Sequence, residues 1–389
     1  MKALILSCNT GGGHNSAGRA VAEEFVSRGD EAYVLDYLTL AGQGVSRIVG
    51  NGYVQIVKKT PKLFGVAYHL GMLVSRLMKK SPVYYLNGRM ARYLDEYLQE
   101  NPVDVIIMPH LYPAETITYM KRKGMKLPLT VAIMTDYTCI PFWEETDCDY
   151  YTVPHKRLIP SCIRRGLPKE KLIPMGIPVA AACRKDISKK DARNKLGLLS
   201  DGRYILVAGG SMGAGDLARI VKLLLEETKE AQIFVVCGSN RKIETGMKKE
   251  FLKEERVHVI GYTSQMALYM KACDVLFTKP GGLTSTEAAA VRVPMVHTDP
   301  IPGCESANRK FFVKLGMSVS AKTVKGQVKQ GLCLLNDQNM AANMMEKQKE
   351  NIDPDTASGI CDFIYKKKQE QLILELNQYV CILLKERHE

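Results

Sequence analysis

Three titratable residues, His14, Asp136 and Glu287, each stand just beyond an apolar stretch, where a parallel sheet would open onto a ligand crevice. Glu287 has the most telling surroundings. Residues 275–278 (Val-Leu-Phe-Thr) read as a short strand, Pro280-Gly281-Gly282 ends it, and residues 284–291 read as a helix capped by a hydroxyl residue. A strand running through Gly-Gly into a helix N-terminus aims unpaired N–H groups and the positive end of a helix dipole at one spot. That spot suits a diphosphate, and no metal-ligand motif accompanies it. About one turn into the helix, Glu287 can accept hydrogen bonds from two vicinal sugar hydroxyls. The same corner also fits an ordinary turn with a solvated Glu. A second Pro- and Gly-rich loop leads into Cys304, Glu305 and Asn308 at another helix start, as expected if two loops grip two ends of one ligand.

His14 closes the run Gly11-Gly12-Gly13 between an apolar strand (residues 3–7) and a helix (residues 16–26). There it faces the crevice as a candidate acid–base group, or it is a turn histidine without chemistry. Asp136 follows the strand 129–134. It can act as a base, orient His14, or cap the next turn.

The elements around these residues repeat one grammar. Strand, glycine loop, helix and strand (residues 32–35) open the chain as a βαβ unit, which implies a parallel sheet. Residues 204–208, the loop Gly209-Gly210-Ser211-Met212-Gly213-Ala214-Gly215 and the helix 216–226 restart it. Met175-Gly176-Ile177-Pro178 breaks the chain between the two. The class is therefore α/β, with two doubly wound, Rossmann-like domains facing across a cleft. Their expected bounds are residues 1–178, residues 179–365, and a helical tail over 366–389. The second glycine loop is a weak dinucleotide fingerprint, because no acidic residue ends the next strand. Gly261-Tyr262 after strand 257–260 suits a turn that meets a flat base through main-chain atoms.

Eleven cysteines, odd in number and never spaced Cys-x-x-Cys, argue against a disulfide framework or a zinc site and for a cytoplasmic protein with reduced thiols. No apolar run approaches the ~18 residues of a spanning helix. Residues 37–94 carry nine Lys or Arg and no acid, which is nine of the thirteen net positive charges. Lys58, Lys59, Lys79 and Lys80 alternate there with Phe64, Leu73 and Leu77. This pattern suits an anionic membrane surface. Nucleic acid is excluded as a partner, since no nucleic-acid motif accompanies the charge. A solvated basic face is the plain alternative. The apolar segment 372–384 is too short to span, and it either packs on the first domain or lies at the membrane interface.

Thr278-Lys279-Pro280-Gly281-Gly282-Leu283-Thr284-x-x-Glu287-Ala288, followed by Pro300-Ile301-Pro302-Gly303-x-Glu305-x-x-Asn308, resembles the donor-binding region of the monogalactosyldiacylglycerol synthase and processive diacylglycerol glucosyltransferase family, relatives of the peptidoglycan glycosyltransferase MurG. Asn9-x-Gly11-x-Gly13-His14 and Thr135-Asp136 resemble the same family. The resemblance implies a GT-B fold and inverting transfer of a hexose from a UDP-sugar to diacylglycerol, without a cofactor or metal, by a cytoplasmic protein held peripherally on the membrane. It implies donor contacts at Gly210, Ser211, Met212, Gly261, Tyr262, Lys279, Gly281, Gly282, Leu283, Thr284, Glu287, Cys304, Glu305 and Asn308. It places Trp143 on the acceptor side and His14 or Asp136 in the acid–base role. Two positions depart from it: Ile140 stands where the family has His, and Cys304 where it usually has Gln. A MurG-like transferase, a UDP-sugar 2-epimerase and a non-catalytic binding member are the competing readings.

Overall fold

The computed structural model describes residues 1–9, 12–48, 52, 61–78, 80–210 and 215–386. Six short apolar stretches form the first sheet: β1 (Lys2–Ser7), β2 (Glu31–Asp36), β3 (Val105–Met108), β4 (Leu129–Ile133), β5 (Tyr150–Val153) and β6 (Leu172–Pro174). Every pairing is parallel, in the order β2-β1-β3-β4-β5-β6. Alternate residues of β1 enter two different cores, Leu4 and Leu6 on one face, Ala3 and Ile5 on the other. Burial of both faces is why β1 and β3 read as unbroken apolar runs.

The second sheet contains β7 (Tyr204–Ala208), β8 (Gln232–Val236), β9 (Val257–Ile260), β10 (Val275–Thr278), β11 (Met295–His297) and β12 (Val319–Ser320). Its order is β12-β11-β10-β7-β8-β9, again wholly parallel. The chain changes direction across the sheet between β1 and β3 in the first half and between β7 and β10 in the second. Crevices open beyond the carboxyl ends of strands at such switch points. His14 follows β1, Gly210 follows β7 and Gly281 follows β10, so topology alone brings these loops to the cleft. The α/β doubly wound expectation therefore holds for both halves.

The inner faces of both sheets share one apolar cluster, running from Leu4 and Ile106 through Tyr137 to Leu206, Leu276 and Met295. After the second sheet the chain returns. The helix Thr356–Glu386 lays Ile360, Cys361 and Ile364 into the outer core of the first sheet, beside Val21 and Phe25. Arg28 donates to Asp362 (2.5 Å) and Ser358 Oγ (2.7 Å). The first ten residues of this helix thus pack with the N-terminal half, ahead of the expected start of the tail at 366. Further along, Leu372, Ile373, Leu374 and Leu376 are exposed. Among the described residues no helix is long and apolar enough to cross a membrane, and every described cysteine is a free thiol.

Two local expectations change. Gly12, Gly13 and His14 form the first turn of a helix, Gly12–Ser27, rather than a loop before it. The helix after β10 starts at Gly282, with Gly281 as N-cap and no side-chain cap, so the expected hydroxyl cap is absent. Proximity dictates the residue at 282. A Cβ on Gly282 would lie 1.9 Å from the Thr135 carbonyl oxygen at the end of β4, so only glycine lets the second domain approach the first this closely. On Gly281 (φ −69°) a Cβ would meet nothing nearer than 3.9 Å.

These two glycines give a paired test. Gly282→Ala should cost about 1–3 kcal/mol, the usual range for overpacking, and lower the thermal midpoint. Gly281→Ala should leave the midpoint unchanged. Equal midpoints for the two variants would show that the close approach carries no energy.

Candidate functional site

The N-termini of two helices meet over the end of β4. A Cβ on Gly13 would touch that of Leu283 at 3.6 Å, which puts the first turn of Gly12–Ser27 against the first turn of Gly282–Ala290. Gly281 N–H is already donated to Lys279 O (2.8 Å). The amides left for a ligand are therefore those of the turn starting at Gly282, which have no intrahelical acceptor.

His14 sits inside this junction, half-buried. Its Nδ1 lies 2.8 Å from Pro109 O and 2.9 Å from Thr135 Oγ1. A carbonyl only accepts, so in the neutral ring Nδ1 carries the proton and Nε2 keeps the lone pair that a base requires. Burial lowers the imidazole pKa, opposed by the Asp136 charge and the bond to Pro109. The His110 ring packs edge-on at 4.5 Å and is itself driven well below the ordinary value by burial. Neutral imidazole is thus the resting form of both rings.

Asp136 is held from the other domain. Asn308 Nδ2 donates to Asp136 Oδ1 (2.9 Å) and to Pro280 O (3.1 Å), and Asn308 Oδ1 accepts from Tyr137 N (2.7 Å). Asn308 is fully buried. Expected at the donor, it has its side-chain amide bonded to protein partners here. Tyr137 completes the junction, bonding Thr286 Oγ1 (2.8 Å) and stacking on Phe311. Cys304 opens the helix Cys304–Lys314 half-buried, and burial with the nearby Asp136 raises its thiol well above the usual range. Lys279 is ion-paired with Glu305, whose other oxygen accepts from Ile301 N (2.8 Å).

A cavity of about 450 Å³ extends from this junction between the two domains. Gly210, Tyr262, Leu283, Thr284 and Glu287 line it together, as the sequence led us to expect. Facing them from the first domain are Gly13, Ser16 and Arg19. Ser16 and Arg19 have no motif of their own, and only helical spacing from Gly12 (i+4 and i+7) could have suggested them. The Glu287 carboxyl makes no hydrogen bond among the described residues, and desolvation pushes it up to about 7. Gly261 lies beneath Glu244, where a Cβ would meet a carboxylate oxygen at 2.5 Å, and Tyr262 stands exposed at the rim.

Three expected sites differ or fall elsewhere. Trp143 is 3% exposed and packs edge-on against Tyr151 in the first core, so it is no surface contact for acceptor or membrane. Ser211, Met212, Lys58, Lys59 and Lys79 lie outside the described residues. Phe64 belongs to the helix Pro61–Leu77, and Lys80 is exposed beyond its end. That helix contributes a residue the motifs did not flag: Tyr68 packs on Gly303, within electrostatic reach of Asp136 and Cys304.

The raised Glu287 pKa has a sign that can be checked. Above about pH 7 the carboxyl is ionised in the folded and unfolded chain alike, and the folded form bears the full cost of the buried charge. Below the ordinary 4.5 both forms are neutral and the cost is gone. Glu287→Gln should therefore raise the thermal midpoint of the ligand-free protein at pH 8 and leave it unchanged at pH 4. The same variant should weaken UDP binding through loss of charge-assisted bonds, by ~1.5–3 kcal/mol. A midpoint that falls at pH 8, or unaltered UDP affinity in calorimetry, contradicts this placement.

Residues 14–179 match the model of the monogalactosyldiacylglycerol (MGDG) synthase family, and residues 189–351 match that of glycosyl transferases group 1. Similar curated proteins include the processive diacylglycerol beta-glucosyltransferases of Bacillus pumilus (26% identical, 90% of each chain) and Staphylococcus carnosus (27%, 77% of this chain and 72% of that one). Among solved structures, MurG of Acinetobacter baumannii superposes with a TM-score of 0.60 at 15% identity, covering 94% of this chain and 99% of that one. MnaA of S. aureus, solved with UDP, superposes at 0.59 and 14%, covering 94% and 96%. These two establish the GT-B fold alone. The first half of the chain thus matches the monogalactosyldiacylglycerol synthase family and the second half the group 1 glycosyl transferases, and along most of its length the chain is similar to processive diacylglycerol beta-glucosyltransferases.

Proposed function

We propose that this enzyme transfers a hexose, glucose or galactose, from a UDP-sugar to diacylglycerol at a membrane surface. The observation that carries the lipid side of this reading is the helix Pro61–Leu77. Val66, Leu70, Leu73 and Leu77 recur every three or four residues along it, and each is more than half exposed. Its opposite face sits on the cleft, with Gly65 against Pro302 and Tyr68 against Gly303. Tyr85 and Leu86 extend the exposed apolar surface, and Lys80 and Arg89 border it. An apolar stripe with basic margins is the pattern of a helix lying in a bilayer interface. It would set the acceptor hydroxyl beside the donor.

The reaction follows from the junction. UDP lies in the cavity with its ribose hydroxyls on Glu287 and its diphosphate on the amides at the start of Gly282–Ala290. Those amides and the helix dipole stabilise the charge that grows on the departing diphosphate. The acceptor oxygen attacks the anomeric carbon from the face opposite UDP, and the configuration inverts. As the new C–O bond forms and the bond to the β-phosphate breaks, the hydroxyl proton passes to His14 Nε2. Asp136, fixed by Asn308, stabilises the resulting imidazolium. In this scheme the protein's own amides do the work of charge stabilisation, with neither cofactor nor metal. The enzyme acts from the cytoplasmic side as a peripheral protein.

Turnover of radiolabelled UDP-glucose, UDP-galactose and UDP-N-acetylglucosamine on diacylglycerol vesicles tests the reaction, and no glycolipid from any donor would refute it. His14→Ala should lower turnover at saturating donor by about 10²–10⁴, the usual contribution of a general base, with UDP affinity retained. Near-normal turnover would move the role to Asp136.

The membrane face has its own test. Replacing Leu70, Leu73 and Leu77 together with Ser should sharply reduce sedimentation with phosphatidylglycerol vesicles while UDP binding stays intact. Unchanged sedimentation would shift lipid contact to the exposed apolar residues of the C-terminal helix.

A further inference from the structure

Away from the cleft, a second cavity of about 430 Å³ lies where the chain crosses between domains. Both crossings wall it, Met175, Gly176 and Ile177 on the way out, Asn351 and Asp353 on the way back. Thr356 Oγ1 donates to Met175 O at 3.1 Å and ties the crossings together. Gly176 (φ 112°) has no room for a side chain there, since a Cβ would fall 2.6 Å from Thr356 Oγ1.

Arg292 lines this cavity in a conformation its backbone does not favour. The helix Gly282–Ala290 ends in a Schellman turn, with Val293 N bonded to Ala288 O (3.1 Å) and Arg292 N to Ala289 O (3.3 Å). The residue between cap and exit adopts φ > 0 and is ordinarily glycine. Here it is Arg292, at φ 62°. A strained side chain retained at a pocket wall points to a use for that side chain. Its Nη1 is buried and has no hydrogen-bond partner among the described residues. Glu346 and Asp353 act on the guanidinium only at a distance, and Asp353 Oδ1 already accepts from Asp355 N.

The remaining charge around the cavity is mostly positive. Lys156 and Lys349 face it, while Glu350 is held by Lys347 (2.8 Å to each oxygen). His155, with Nδ1 accepting from Arg157 N, is hydrogen-bonded to Asn351 and adds no free donor. We propose that this cavity binds a small soluble phosphate-bearing anion, inorganic phosphate or a phosphomonoester, with Arg292 as its chief ligand and Lys349 beside it. Occupancy braces the two crossings against each other and so resists opening of the domains.

The test is phosphate binding to the full chain, by calorimetry and thermal midpoint, with UDP filling the donor cleft and chloride matching ionic strength. Inorganic phosphate should bind and raise the midpoint of the parent protein. Arg292→Gly should weaken phosphate binding about tenfold or more, the loss expected for a charge-assisted bidentate contact. Its phosphate-free midpoint should be equal or higher, because glycine suits the turn. Lys349→Gln should weaken binding by a smaller factor at an unchanged midpoint. A parent chain indifferent to phosphate overturns the proposal, as does an Arg292→Gly variant with full affinity. A variant that fails to fold, or melts lower without phosphate, shows the guanidinium to be structural and likewise overturns it. Binding of phosphatidylglycerol vesicles through Arg292, with soluble phosphate inert, rejects the soluble ligand.

Discussion

One buried side-chain amide, that of Asn308, holds the two halves in working register. Both its N–H groups and its carbonyl oxygen are spent, on Asp136, Pro280 and Tyr137. Leaving any one of these buried groups unmet would cost about 1–3 kcal/mol. The bonds therefore act together and fix three things at once: the Asp136 carboxylate, the backbone just past β4, and the loop that aims Gly282. The contact of Gly282 with Thr135 depends on that register, and Thr135 in turn lies against His14 Nδ1. A shift of an ångström between the domains would separate His14 from the N-terminal amides of the helix Gly282–Ala290.

Burial then sets the protonation states that the chemistry requires. Removing water penalises whichever form of a group is charged. For His14 that favours the neutral, proton-accepting ring, and for Glu287 it lifts the carboxyl up to about 7. The two shifts have one cause and opposite signs. They also differ in what relieves them. Asp136 partly restores the imidazolium, so His14 can take a proton when one is offered. The Glu287 carboxyl has no hydrogen-bond partner among the described residues, and a ligand hydroxyl is the group that would relieve it. Shifted titrations of this kind cluster at functional sites.

Much of this was legible in the sequence, for identifiable reasons. Parallel strands buried on both faces announce themselves as apolar runs, and glycine loops after them mark switch points, so both doubly wound halves could be read directly. Gly210, Tyr262, Leu283, Thr284 and Glu287 could be named through loop position for Tyr262 and Glu287 and through the family resemblance for the others, and all five line one cavity. What failed to show depends on tertiary packing. The need for glycine at 282 follows from its approach to a carbonyl more than a hundred residues away. Trp143 looks like a surface aromatic until its edge-on contact with Tyr151 is seen. The commitment of Asn308 to protein partners is invisible because its spacing also fits a ligand contact. Arg292 carries no motif, since a left-handed backbone at a non-glycine residue leaves no mark in the sequence.

The helix Pro61–Leu77 joins these themes, because small residues on its inner face decide how near the membrane side can come to the chemistry. At Gly65 a Cβ would stand 2.8 Å from Pro302, and at Gly71 it would already touch the Phe142 ring at 3.5 Å. With larger residues the helix would be held off the loop that carries Cys304 and Glu305. As it is, that loop lies under the helix, and Tyr68 reaches the same corner from above. The outward stripe of Val66, Leu70, Leu73 and Leu77 is then only one helix diameter, about 10 Å, from the donor loop. The distance between this outward stripe and the loop that carries Cys304 and Glu305 is thus set by the same two glycines.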